Sequence, residues 1–152
     1  KVIMPLIKGT KELDVAEIIN ILKIFDPKES FVSFEDVRAI FGAMAGATFT
    51  FGFVAGATEA AVISLGFQFR KVNPKVWQKL AFAGVPEIRK PDTKDKNGKV
   101  IKGRVDTKAM ALLASKRLFP DFDGRATERS RNAHDGIIDA LLIAWYITQT
   151  YK

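Results

Sequence analysis

The sequence predicts an α/β protein. Strand-like and helix-like segments alternate along the chain, and the first helical segment keeps a 3.6-residue apolar period. Of the 152 residues, 47% are apolar, which supplies a globular core rather than a disordered chain. This length suits one domain. The economical arrangement is a single α/β domain over residues 1–152 with an insert on its surface.

Val2 to Ile7 reads as a short strand, and Gly9-Thr10-Lys11-Glu12-Leu13 as a turn. Asp14 can cap a helix running to about Phe25, with Val15, Ile18, Ile19, Leu22 and Ile24 as its apolar positions and Asp26-Pro27 as its stop. Phe31-Val32-Ser33-Phe34 reads as a buried strand with Glu35 immediately at its end. Gly42 to Leu65 is rich in Ala and Gly, with Phe49, Phe51 and Phe53 interleaved, and reads mostly as helix. It is either an ordinary core helix or one through which two copies associate. Gln68 to Val72 is a further strand. Pro74 suits the first turn of a helix carrying Trp77, Lys79 and Leu80. Trp77 reads as a core residue, with stacking on a base as the alternative. From Val85 to Val105 the chain turns basic, polar and proline-bearing, and Lys96-Asn97-Gly98-Lys99 is a hairpin-turn signature. The expectation is a β-hairpin insert over about residues 86–106. Thr107 to Leu118 is a helix ended by Pro120. Asp121 to Asn132 is a polar loop containing Arg125, Arg129 and Arg131, and a last helix covers Asp135 to Thr150.

The net charge is +7. A basic surface concentrates polyanions, so nucleic acid is the favoured partner on charge, although many basic proteins bind none. The chain has no cysteine, which excludes disulfides, thiolate metal sites and cysteine nucleophiles. A metal would be held by oxygen ligands or by the single His134. Lys1-Val2-Ile3-Met4-Pro5 is not a secretory signal. The longest apolar stretch, Phe41 to Phe67, is interrupted by Thr48, Thr50, Thr58, Glu59 and Ser64. The expectation is a soluble, cytoplasmic protein with no membrane partner.

The last helix carries the sharpest chemical signal. Asp135 and Asp139 lie four residues apart, on one face and about 6 Å apart along the axis. Helix capping and the macrodipole account for Asp135 at the N-terminus. They account poorly for Asp139, which lies one turn in and is followed by apolar residues. Its charge calls for an offset, either a divalent cation or a neighbouring arginine. Glu35 sits at the carboxyl end of a strand, where open α/β sheets place ligands; the alternative is an exposed loop residue. Three carboxylates on two elements suit Mg²⁺ or Mn²⁺. Two such ions about 4 Å apart can serve phosphodiester cleavage. His134 is a ligand, a proton shuttle, a phosphate contact or simply a solvated residue at the helix cap.

The order of these segments resembles the RuvC-like Holliday junction resolvases. Asp14 to Phe25 with Phe31-Val32-Ser33-Phe34-Glu35 looks like the helix and strand leading into that family's second acidic motif. The Gly/Ala-rich helix resembles the one through which those resolvases dimerise. Asn73-Pro74-Lys75-Val76-Trp77-Gln78-Lys79 resembles the segment after the next strand, especially in phage-type members. Thr107-Lys108-Ala109 opens a helix where the family often carries a DNA-contacting lysine. His134-Asp135-Gly136-Ile137-Ile138-Asp139-Ala140-Leu141-Leu142 looks like the closing acidic motif. The likeness covers nearly the whole chain apart from the hairpin insert.

The resemblance implies an RNase H-like fold with a central mixed sheet flanked by helices. It further implies a homodimer formed through residues 42–65, Mg²⁺ dependence, and cleavage of branched DNA in recombination or repair. Catalytic and metal-holding roles would fall to Glu35, Asp135 and Asp139, with His134 as a proton shuttle. A phage-encoded, DNA-associated enzyme fits this picture. Two features depart from the family pattern. The family opens with a strand bearing an aspartate, in a pattern like Gly-x-Asp-Pro-Gly, followed by a second strand. Val2 to Ile7 best matches the third strand, so those N-terminal strands and the first carboxylate are expected upstream of Lys1. The closing carboxylates are often three apart in the family and are four apart here.

DNA would be held by phosphate contacts, which need no sequence readout. The insert supplies Lys96 and Lys99, along with Arg89, Lys90, Lys94, Lys102 and Arg104, diluted by Glu87, Asp92, Asp95 and Asp106. Lys79, Lys108, Arg129 and Arg131 complete the expected DNA contacts. The alternative for the insert is a solvated surface hairpin, and a catalytically inert DNA-binding protein or another RNase H-like nuclease are the alternatives for the whole.

Overall fold

Asp14 opens the first helix by accepting a hydrogen bond through Oδ1 from the backbone N–H of Glu17 at 3.0 Å. This satisfies one of the donors that a helix start leaves without a partner. In the computed structural model, which describes residues 3–36 and 44–151, helix α1 then spans Val15–Leu22. It stops short of the expected end at Phe25. Ile24 and Phe25 close on Ile21 and Leu22 through tighter i→i+3 bonds. At 78% and 55% exposure they bury too little surface to extend the apolar face.

The expected strand from Val2 to Ile7 is a correction. Val2 lies outside the described residues. Among the described ones, only Leu6 bridges, antiparallel to Leu13, across the turn at Gly9. Pro5 has no backbone N–H to donate, and Ile3, Met4, Leu6 and Ile7 are all exposed. The run is apolar throughout, but among the described residues little of it is covered.

The chain divides into two compact units, Lys1–Pro74 and Lys75–Lys152. In the first, strand β1 (Phe31–Glu35) pairs in parallel with β2 (Gln68–Val72), from Phe31 opposite Gln68 to Glu35 opposite Val72. Parallel neighbours need a long crossover, and helix α2 (Ala45–Ser64) provides it. Gly42, the expected helix start, lies outside the described residues. β1 is half-buried throughout rather than buried, with Phe34 and Phe69 meeting edge to face at 5.9 Å. The core joins Leu13 and Ile18 to Ala61, with Val54 and Ala57 of α2 packed at its margin. Lys71 on β2 pairs with Glu59 on α2 at 2.8 Å.

Burial on α2 is confined to its C-terminal half, at Ala61 and Val62. Phe49 is 76% exposed, and Phe51 and Phe53 about half exposed. A plain core helix is therefore not what α2 is. By length and composition alone it is long and apolar enough to cross a membrane, the one such helix among the described residues.

The second unit holds helices α3 (Pro74–Ala81, beginning at the boundary), α4 (Thr107–Leu118) and α5 (Asp135–Thr150). Trp77 is fully buried and meets Phe82 edge to face at 5.9 Å, so the core reading of that residue holds. Arg117 donates to the carbonyls of Ala81, at 3.1 Å, and Ala83. A cation thus satisfies acceptors at and just past the end of α3. α4 and α5 pack together, burying Met110, Ala111 and Ala114 on one and Ile138, Leu142 and Ile143 on the other.

Between α3 and α4 stands the hairpin. Strands β3 (Thr93–Lys94) and β4 (Val100–Ile101) are antiparallel, and Arg89 bridges Val105 at the root. Asp95 Oδ1 accepts from the N–H groups of Asn97 and Lys99, both at 2.9 Å, while Gly98 takes φ +79°. The turn chemistry that the sequence advertises is therefore the one used. Among the described residues the strands form two separate two-stranded sheets, a mixed α/β arrangement without one central mixed sheet.

Gly103 is buried against the hairpin's other limb, where its N–H donates to Asp92 Oδ1 at 2.8 Å. A Cβ there would fall on the backbone carbonyl of Lys90. Gly103→Ala is expected to cost about 1–3 kcal/mol through overpacking. Hydrogen exchange should show reduced protection at the hairpin amides while those of α5 stay protected.

Candidate functional site

α4 and α5 enclose the candidate site in the second unit. Along α4 the residues Lys108, Ala111, Leu112, Ser115 and Lys116 line a cavity of about 540 Å³. Their spacing of i, i+3, i+4, i+7 and i+8 is one helical face. From α5 come Asp135, Ile138 and Asp139, the first turn of that helix. Arg125 and Arg131 enter from the loop, and Lys90 from the root of the hairpin. The cavity thus mixes an apolar floor with five cations and four carboxylates.

Local backbone bonding explains how each element arrives. Asp106 caps α4, its Oδ1 accepting from Ala109 N–H at 3.2 Å, and its own N–H donates to Ile88 O at 2.7 Å. That pair of bonds registers the hairpin root against the start of α4, where Lys108 sits. The polar loop is closed by an antiparallel bridge between Arg125 and Ala133 and by His134 N–H donating to Gly124 O at 2.9 Å. Gly124 is buried against Ile138 and Ala133, which sets the loop on the first turn of α5.

Asp135 is the first residue of α5, and Lys108 Nζ donates to its Oδ2. Both side chains are about half exposed or more, at 53% and 69%. Lys108 is held above its ordinary lysine value, first by the hydrogen bond to Asp135 and then by that residue's charge. Desolvation opposes this, and the charges of Asp139 and Asp106 add smaller contributions. A raised lysine pKa means that the pair is fully formed below the ordinary lysine value and is lost as pH rises through the raised one. NMR of the Lys108 ammonium is therefore expected to show no titration across the neutral range. Lys108→Met should leave the melting temperature nearly unchanged, because exposed ion pairs are screened by water.

The sequence-predicted residues fall into three groups. Asp135, Asp139, Lys108 and Arg131 share the cavity, with Asp139 half-buried. Glu35 belongs to the first unit, half-buried at the carboxyl end of β1, where Asp36 N–H donates to Val72 O at 2.8 Å. Lys79 on α3, Lys96 and Lys99 at the hairpin tip, Arg129 in the loop and His134 at the N-cap of α5 are exposed and do not line the cavity. His134 makes no side-chain capping bond.

Sequence reasoning overlooked Lys116, although its eight-residue spacing from Lys108 places both on one helical face. It also gave no special place to Lys90, whose position depends on hairpin register. Arg125, read as a loop cation, is bound to Asp123 at 3.0 Å, an Asp-x-Arg pair foreseeable from the Asx turn that Asp123 makes with Arg125 N–H.

As ligands, Asp135 and Asp139 offer only oxygen atoms from one helix face, the donor type that hard divalent cations take. Among the described residues no group of three or more His, Asp or Glu side chains gathers to hold a metal ion. No protein-family model matches the chain, and no curated protein matches it.

Proposed function

We propose that this protein is a divalent-metal-dependent endonuclease acting on branched DNA, with an RNase H-like fold resembling the RuvC-like junction resolvases. The observation that carries the reading is the pairing of Asp135 and Asp139 in one cation-rimmed cavity. Two acidic ligands among phosphate-binding cations is an arrangement suited to a reacting phosphodiester. Glu35, at the carboxyl end of a parallel strand, is the third proposed carboxylate.

The residues divide the work. Asp135 and Asp139 would hold Mg²⁺ or Mn²⁺, and the resemblance assigns Glu35 to the same chemistry. A bound ion of this kind polarises the phosphate and lowers the pKa of water. Lys108 balances the negative charge of Asp135 and holds that carboxylate in place. Arg131 offers a planar fork to a phosphate of the DNA backbone. Lys79, Arg129, Lys96 and Lys99 present further charge to the DNA backbone. His134, next to Asp135 in the chain, would carry a proton to or from the reacting oxygens.

Two copies would associate through α2. Support comes from its exposed phenylalanines and from Gly46, Gly52 and Gly56, around which space is open for another helix to approach. The protein would work in the cytoplasm on DNA.

The test is cleavage of a synthetic four-way junction by the full-length protein with Mg²⁺. Cutting is expected, and full cutting by a Glu35→Ala/Asp139→Ala variant would refute the assigned roles. Linear duplex and RNA–DNA hybrid in the same assay separate a junction enzyme from another nuclease of this type. One observation favours a second reading, a DNA-binding protein without chemistry: Asp135 already has a cation in Lys108. That reading requires junction binding with no cleavage, and binding indifferent to Asp139→Asn.

A further inference from the structure

In the proposed function the hairpin insert offers DNA only its tip lysines, Lys96 and Lys99, yet its root contributes a charge to the cavity. Lys90 N–H donates to Arg104 O at 2.9 Å, which fixes Lys90 in the root ladder. Two residues past Arg104, Asp106 caps α4. The hairpin and α4 are thereby joined within a few residues of Lys108, and the Lys90 side chain lines the same cavity as Lys116 and Arg131.

The charges in that cavity are unequally used. Asp135 is paired with Lys108, and Asp123 with Arg125. Asp106 is engaged as the α4 cap. Asp139 has an interaction of its own. By contrast, the side chains of Lys90, Lys116 and Arg131 make no hydrogen bond or ion pair among the described residues. All three are exposed. They come from three separate elements onto one concave surface. Cations gathered in this way, without internal partners, raise the local concentration of an anion.

We infer that Lys90, Lys116 and Arg131 form a phosphate-binding subsite for a nucleic-acid backbone, which brings the root of the hairpin, and not only its tip, into the substrate-binding surface. The ligand is a phosphodiester group next to the one at the carboxylates, and in naming DNA as its source the inference rests on the nuclease reading above. Two lysines and an arginine give charge and one planar fork without base readout, so the subsite serves position and not sequence.

The test is salt-dependent binding of a fluorescent DNA junction to the full-length protein in EDTA, where no cleavage occurs. Lys90→Gln/Lys116→Gln/Arg131→Gln is expected to lower the slope of log K against log salt by about two to three units, near 0.9 for each phosphate no longer neutralised. Circular dichroism and melting temperature should match the parent, because the three side chains are exposed. Lys90→Gln alone should remove about one unit and so isolates the hairpin's share. An unchanged slope in the triple variant would overturn the subsite. It would also be overturned if inorganic phosphate shifted the NMR signals of these side chains while DNA affinity ignored the substitutions. A reduced slope in a protein that never cuts a junction with Mg²⁺ would support the subsite and sink only the nuclease reading. Normal cutting with an unchanged slope would do the reverse.

Discussion

Asp139→Asn is expected to reduce Mg²⁺-dependent junction cleavage on the order of a thousandfold while leaving junction binding in EDTA intact. Asparagine keeps the size of the side chain and one acceptor oxygen, so the first turn of α5 and the buried Ile138 and Leu142 beside it are undisturbed. What it removes is a full negative charge from the cavity shared with Asp135. A ligand that serves a catalytic cation contributes several kcal/mol of transition-state charge stabilisation, and each factor of ten in rate is about 1.4 kcal/mol. Single-turnover cleavage measures the loss, and fluorescence anisotropy in EDTA measures the binding. In the absence of metal, losing this carboxylate removes a repulsion toward phosphate, so affinity should hold or rise slightly. Near-parental cleavage by Asp139→Asn would rule out a ligand role for that residue.

The largest effect on stability is expected at Trp77. Its side chain is fully buried and closes edge to face on Phe82. Trp77→Ala should cost about 3–5 kcal/mol, because an indole-sized void cannot be refilled by the surrounding side chains. For a domain whose total stability is about 5–15 kcal/mol, that is a large share. Guanidinium unfolding of the two proteins, followed by far-UV circular dichroism, provides the comparison. Trp77→Phe should recover much of the loss, since it retains a ring to pack on Phe82. If Trp77→Ala unfolded at the parental midpoint, the burial of this residue would be contradicted. A base-stacking role would instead predict weaker DNA affinity with unchanged stability.

Much of the local structure is legible without any coordinates. Asp14 and Pro74 each mark a helix start, because a capping carboxylate or a proline at the first turn acts within a few residues of chain. The bounds of β2, α4 and α5 follow from short-range pattern in the same way. So does the Lys96-Asn97-Gly98-Lys99 turn, where Asp95 and a positive-φ glycine do the folding. The placement of Asp135 and Asp139 on one face of α5 needs only the helical repeat.

Other properties are not decided locally. Residues 3–7 carry an apolar strand pattern, yet among the described residues only Leu6 makes a bridge, since a strand also needs a neighbour that covers it. The apolar composition of α2 does not reveal which half is covered; packing against α1 buries Ala61 and leaves Phe49 exposed. The strand segments between residues 31 and 101 could by composition share one sheet. They form a parallel pair and a separate antiparallel ribbon, because pairing partners are chosen across long stretches of chain.

By itself the sequence determined where α1, α3, α4 and α5 begin, where α4 and α5 end, the hairpin turn and the spacing of the α5 carboxylates, all of which depend on interactions within a turn or two of backbone. Only the tertiary structure decided that Lys90, Lys116 and Arg131 share a cavity with Asp135 and Asp139. It also decided that Lys108 takes the Asp135 carboxylate. Those groups are brought together by the packing of α4 on α5 and by the hairpin root tied to Asp106, and such convergence depends on packing between residues far apart in the chain.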